Sequence, residues 1–374
     1  MSWTSQRLDQ LGYLARGRSR HRPRDAAHLY SGPYPFVQTG DVKRAGLTIT
    51  EYQQTYSEAG VEQSKLWPAG TLCITIAANI ADTAILGIEA CFPDSIIGFV
   101  PNEKKADARF VKYLFDTTIQ RQLQQFTQGA AQDNLSQEKL LSIEFSVPRV
   151  EEQTRIADIL SAYDDLIENN RRRMALLEEA ARQLYREWFV RLRFPGHEHT
   201  RITDGVPDKW ESVPLGDRVT LNYGKALKAD DRTNGPFPVY GSSGILGFHD
   251  KALARAPGIV VGRKGNIGSV YWCPKDCWPI DTVYFIDTEI SNIWLFYALQ
   301  HMHFISTDVA VPGLNRDFAY SRALLVPAPR IVSEFVDVAT QMHEQMAKLD
   351  EMNDKLRAAR DLLLPRLMSG EIAV

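Results

Sequence analysis

The stretch "VPRVEEQTRIADILSAYDDLIENNRRRMALLEEAARQLYREWFV", Val147 to Val190, decides the architecture. Ile156, Tyr163, Asn170, Leu177 and Leu184 recur every seven residues, and Leu160, Ile167, Met174, Ala181 and Trp188 hold the complementary position. Side chains seven apart return to the same helical face, so the spacing predicts a long helix with one coiled-coil seam. Pro148 before and Pro195 after bracket about forty residues, or roughly 60 Å at 1.5 Å per residue. The pattern returns near the C-terminal end. From Ile331, Val338, Met352 and Ala359 take the places of Leu160, Met174 and Ala181, beside a stripe of Phe335, Met342, Leu349, Leu356 and Leu363. A helix with a single apolar stripe needs a partner, and the two are expected to pair antiparallel with each other.

What precedes each helix is also written twice. "SGPYPFVQTG" at 31–40 is answered by "NGPFPVYGSSG" at 234–244, and "WTSQRL" from Trp3 by "WESVPL" from Trp210. "AGTLCITIAANIADTAIL" from Ala69 is answered by "PGIVVGRKGNIGSVYW" from Pro257, and "NLSQEKLLSIEFSVPRV" from Asn134 by "GLNRDFAYSRALLVPAPRI" from Gly313. Four pairs in one order mark a duplication. Short Val, Ile, Phe and Tyr runs between Gly, Pro, Asn and Asp, with a few short helical stretches, predict a mixed domain of class α/β (α+β) in each copy. The expected plan is a domain over 1–150, a long helix over 151–192, a linker over 193–208, a second domain over 209–330, and a second helix with its tail over 331–374. An antiparallel intramolecular coiled coil would relate the copies by a pseudo-two-fold axis.

The bulk numbers agree with a two-domain globular chain. It has 374 residues, 44% hydrophobic and 24% charged, and its apolar runs are far shorter than a membrane span. The N-terminus lacks the apolar core of a secretory signal, and a cytoplasmic location is expected. Cys73, Cys91, Cys273 and Cys277 are too few for a disulfide scaffold and read as small buried hydrophobes. The net charge of −3 conceals a division. Residues 151–189 and 331–374 each carry −3, whereas residues 1–45 hold eight basic side chains against three acidic, including "RGRSRHRPR" from Arg16 to Arg24. Basic character confined to selected surfaces suits a polyanion ligand.

Catalytic signals are sparse. There is no phosphate-binding Gly-x-x-x-x-Gly-Lys-Ser/Thr loop, and the glycine spacing of "GRKGNIG", Gly262 to Gly268, predicts a tight basic turn between strands. The chain contains no Pro-Pro, which removes the Asn/Asp-Pro-Pro-aromatic motif of amino-methylating sites. Asp94, Glu103 and Lys105 fit a Mg²⁺ nuclease pattern weakly, with Pro101 interrupting the strand that should hold them. Cys273, Cys277, His301 and His303 have an unusual spacing for zinc. No metal site and no catalytic residue are assigned. Side chains of the types that contact base edges and phosphates collect at the turns instead. They are Arg16, Arg18, Arg20, Gln38, Thr39, Lys43 and Asn79 in the first copy, and Lys225, Lys228, Ser242, Ser243, Arg263, Lys264, Asn266, Asn315 and Arg316 in the second.

This layout resembles the specificity subunit of type I restriction-modification systems. Pro148 ahead of the Glu-Gln-x-x-Ile-Ala-x-Ile-Leu of the first helix, "VGRKGNIGSVYW" and the terminal "LLLPRLMSGEIAV" are all similar to phrases of that family. The resemblance implies two target-recognition domains, each reading one half of a bipartite double-stranded DNA sequence. Helices would set the spacing and dock two modification subunits, the methyltransferases, on residues of their seam and faces. S-adenosylmethionine would belong to those partners, and ATP and Mg²⁺ to two restriction subunits where present, while this chain binds no cofactor and catalyses nothing. Two other readings remain: an autonomous DNA-binding regulator, and a Mg²⁺-dependent nuclease.

Overall fold

The computed structural model describes residues 3–77, 80–126, 137–305 and 313–374. Two compact units divide the chain, and they do not follow its order. The first comprises Met1–Arg172 with Leu349–Val374, and the second Arg173–Lys348. Each long helix, Val150–Tyr185 and Pro329–Met368, therefore gives one half to each unit.

In the first unit a five-stranded sheet runs in the order Gly12–Arg16, Ile96–Pro101, Leu72–Thr75, Thr83–Leu86, Thr48–Ile49. The helix Ala108–Phe126 covers it, burying Phe110, Val111, Tyr113, Leu114 and Phe115 in a cluster with Leu72, Ile74, Ile97 and Phe99. Each such fully buried side chain contributes about 1.5–3 kcal/mol. A second sheet of four strands is built around Tyr30–Phe36 and Ala90–Cys91.

The second unit repeats most of this topology, with no counterpart, among the described residues, of the edge strands Thr48–Ile49 and Leu66–Trp67. Its four-stranded sheet has the order Asn222–Tyr223, Val283–Ile286, Gly258–Gly262, Val270–Cys273. Its helix Ile293–His301 is buried from Ile293 to Leu299, and its second sheet centres on Phe237–Gly241 between Gly244–His249 and Trp278–Pro279. One glycine in each copy shows how closely the two backbones correspond. A Cβ on Gly17 would lie 2.3 Å from the Phe92 carbonyl oxygen, and one on Gly224 2.0 Å from that of Ile280. In both copies the strand edge passes directly against a backbone carbonyl, and no side chain fits there.

The start of the first helix is clamped by Gln153, which is almost fully buried. Its amide donates to the carbonyls of Pro148 and Lys105 at 2.9 and 3.0 Å, and its oxygen accepts from the Asp107 N–H at 3.2 Å. Within the first unit the two helices meet antiparallel. Asn170 donates to Asn353 at 2.9 Å, Asp164 pairs with Arg360, and Ile156, Ala157 and Leu160 share a cluster with Leu367 and Met368. Rising numbers on one helix meet falling numbers on the other. In the second unit the first helix ends in a widened turn over Arg186–Val190, closed by the Arg191 N–H on the Arg186 carbonyl at 2.9 Å. That turn aims both Trp188 and Phe189 at Phe335, with ring centroids 6.0 and 5.1 Å away.

The seam of the first helix follows its heptads: Leu160, Ile167 and Ala181 are buried, and Tyr163, Met174, Leu177, Leu184 and Trp188 are half-buried. In the second helix one stripe needs correction. Phe335 and Leu349 are buried and Met342, Leu356 and Leu363 half-buried, as expected, but Val338 and Met352 are 41% and 48% exposed and Ala359 is only half-buried. Ala339, Asn353 and Leu367, one residue further on, face inward. The complementary stripe stands four residues after the Phe335 stripe rather than three, and the polar Asn353 and Arg360 on it disguised the register.

Candidate nucleic-acid interface

In the second unit two turns and a helix start converge. The hairpin tip after Gly241 holds Ser242, whose carbonyl accepts from the Ser269 hydroxyl at 2.8 Å and the Tyr271 hydroxyl at 3.0 Å. Ser242 is buried by this, and Ser243 stands exposed at the tip. The neighbouring turn is the tight basic one expected from its glycines. Gly265 and Gly268 have φ of +77° and +73°, a region open to glycine without strain. The Arg263 and Lys264 N–H groups both donate to the Thr282 carbonyl at 3.0 Å, which leaves the Lys264 and Asn266 side chains exposed.

The Arg263 carbonyl accepts from the Leu314 N–H at 2.8 Å, and this bond draws in the start of the helix Arg316–Ser321. Tyr223 completes the group. Its ring lies beneath two guanidiniums, with Arg263 Cζ 5.0 Å and Arg316 Cζ 5.1 Å from the centroid. The Tyr284 hydroxyl donates to the Leu314 carbonyl at 3.0 Å. Burial first, with the adjacent Tyr223 phenol, pushes the Tyr284 phenol up to about 12 against the opposing pull of Arg263, so it stays a donor. Lys225 is exposed just beyond, its backbone N–H bonded to the Pro279 carbonyl at 3.0 Å. Two further expected residues, Asn315 and Lys228, are exposed. Asn315 uses its carbonyl to cap the helix, accepting from Asp317 and Phe318 N–H at 2.8 and 3.1 Å. Lys228 lies further along the loop, its carbonyl held by the Asp231 N–H.

The first unit offers a related surface. Arg16, Arg18 and Arg20 are exposed, Arg16 Nε donating to the Asp94 carbonyl at 3.0 Å. The Arg18 N–H bonds the Phe92 carbonyl at 3.1 Å and the Val37 N–H bonds the Cys91 carbonyl at 2.8 Å, which brings Gln38 and Thr39 to the other side of the same segment. Gln38 opens the helix Thr39–Arg44, its N–H donating to the buried Asp41 carboxylate at 2.8 Å. Lys43 is exposed on that helix; burial holds the Asp82 carboxyl above its ordinary value, and the charge of Lys43 works against that shift. Asn79 lies outside the described residues.

Two basic, hydrogen-bonding surfaces on duplicated domains suit nucleic acid, and the sequence matches the family model for the type I restriction modification DNA specificity domain over residues 2–179 and 207–317. The chain belongs to that family. Its role is DNA sequence specificity in type I restriction-modification. It is 21% identical over its whole length to the type I restriction enzyme MjaIX specificity subunit of Methanocaldococcus jannaschii, covering 94% of that protein. The MjaVIII specificity subunit of the same organism is 24% identical over 53% of this chain and 45% of its own. The crystal structure of the type I restriction-modification S subunit from M. genitalium has the same fold, with a TM-score of 0.59 over 98% of this chain and 96% of that one at 17% identity.

In this specificity chain the alternative chemistries are not assembled. Asp94 is paired with Arg24 at 2.9 Å at one end of the strand Ile96–Pro101, and Glu103 and Lys105 follow its other end, roughly 20 Å away at 3.3 Å per residue. Cys273 and Cys277 are buried beside Tyr240, whereas His301 packs near Tyr185 and His303. Among the described residues no group of three or more His, Cys, Asp and Glu could hold a metal ion, and no helix is long and apolar enough to cross a membrane. Sequence reasoning missed Tyr223. The signal was available: aligning Gly17 with Gly224 sets Tyr223 opposite Arg16 and Lys225 opposite Arg18.

Proposed function

We propose that this specificity subunit reads a bipartite double-stranded DNA target, each recognition domain taking one half-site. The observation that carries this reading is the matched position of the basic turns. Arg18 and Lys225 follow equivalent glycines on equivalent edge strands, yet the residues around them differ, as two domains reading different sequences require.

The helices serve as spacer and as the dock for two modification subunits. Ile159 and Leu166 on the first helix, and Met352 and Leu362 on the second, are between 37% and 73% exposed, apolar side chains that a protein partner would cover. The modification subunits supply S-adenosylmethionine and methylate adenine after flipping it from the stack. Restriction subunits, where present, bring ATP and Mg²⁺, so this chain needs no cofactor or catalytic group of its own and works in the cytoplasm with the chromosome. Mapping methylated adenines with and without the gene tests the reading. Loss of one split, asymmetric motif on deletion is the expected result. Unchanged methylation, with the modification genes intact and expressed, refutes it.

A further inference from the structure

The surface of the second domain contains an arrangement without a counterpart among the described residues of the first. Tyr223 is 50% exposed and has two guanidiniums over its ring, with Arg263 Cζ 5.0 Å and Arg316 Cζ 5.1 Å from the centroid. The two cations are not equivalent. Arg263 is anchored, its Nη1 donating to the Asp281 carbonyl at 3.1 Å. Arg316 lies over two aromatic rings, its Cζ 5.1 Å from the Tyr223 centroid and 5.9 Å from that of Tyr320. It is the first residue of a capped helix, and among the described residues no carboxylate pairs with it. At the register-equivalent position the first domain has Arg16, bonded to the Asp94 carbonyl.

We propose, resting on the DNA-reading function above, that the half-site read by the second domain contains a guanine, and that Arg316, braced on Tyr223, reads it. A guanidinium held against aromatic faces presents a planar fork whose orientation is set before binding. Guanine is the base whose major-groove edge offers two adjacent acceptors, O6 and N7, to such a fork. A phosphate also offers two oxygens, but the exposed Lys264 and Lys225 beside this group are the mobile point charges that suit the backbone.

The test replaces the chromosomal gene with Arg316→Lys, Tyr223→Ala and Tyr223→Phe versions and maps methylated adenines. Arg316→Lys keeps the charge and removes the fork, so one guanine of one half-site should become degenerate, discrimination falling by about tenfold or more. Tyr223→Ala should relax the same position, Tyr223→Phe should retain it, and the other half-site should keep every letter. Methylation that falls evenly with its letters unchanged marks a phosphate contact and overturns the assignment. So does a half-site without guanine, or a guanine preference that survives Tyr223→Ala. If outright deletion leaves every motif methylated, the DNA-reading function itself has failed, and this inference with it.

Discussion

Single residues in this chain carry consequences that follow from where they are buried. His343 is enclosed by Trp272, Phe296 and Tyr297, with the Tyr297 hydroxyl 2.9 Å from Nε2. Burial pushes its pKa down to about 4 from 6.5. The unfolded chain thus binds this proton more readily than the folded one, and stability drains as pH falls from about 6.5 to about 4. The loss amounts to about 3 kcal/mol. His343→Gln should narrow the difference in Tm between pH 7 and pH 4.5, as read by calorimetry; an unchanged difference would show that the acid loss comes from other groups. Gly224 makes a second case at this scale. Alanine there would place a methyl 2.0 Å from the Ile280 carbonyl, and Gly224→Ala should cost about 1–3 kcal/mol in urea unfolding. Neither Gly17 nor Gly224 stood out in the sequence, because the carbonyl that demands each is supplied from more than fifty residues away.

Between elements, the helix pair depends on a polar contact in an apolar seam. Asn170 and Asn353 are 4% and 1% exposed and satisfy each other. Such a pair fixes register, because any slip buries both amides without partners. Asn353→Leu alone should cost about 1–3 kcal/mol by orphaning Asn170, and changing both to leucine should recover most of it, a coupling that a double-mutant cycle measures. The corrected register gives a sharper test. Met352→Glu should change stability by less than about 0.5 kcal/mol, and Ala339→Glu, at a fully buried position, should cost roughly 3 kcal/mol or more. The first helix was readable because its seam is apolar apart from Asn170. The second was half readable: Phe335, Met342, Leu349, Leu356 and Leu363 stood out, while Asn353 and Arg360 hid the complementary stripe, and exposed Val338 and Met352 imitated it. Hydrophobic period detects apolar residues and is blind to a seam position filled by a hydrogen bond.

For the molecule as a whole, duplication was the most legible property, because it is written as order and needs no side-chain geometry to be seen. Both units carry the expected mixed sheets in matching strand order, and both helices run from a domain's last strand. The contact surfaces were less legible. Ser243, the Arg263–Lys264 pair and Arg316 are far apart in the chain and are drawn together by bonds such as those from Leu314 to Arg263 and from Tyr271 to Ser242, and Tyr223 enters only once they have met. The proposed spacer role can be tested at this scale. Inserting four residues into each long helix adds about 6 Å at 1.5 Å per residue, close to two base pairs at 3.4 Å each. If helix length sets the gap between half-sites, the methylated motif should keep every specified letter and gain unspecified positions between them. Four residues exceed one helical turn by about 40°, so docking of the modification subunits should weaken before sequence reading does. Altered half-site letters at unchanged spacing would assign the gap to the domains and leave the helices a purely structural part.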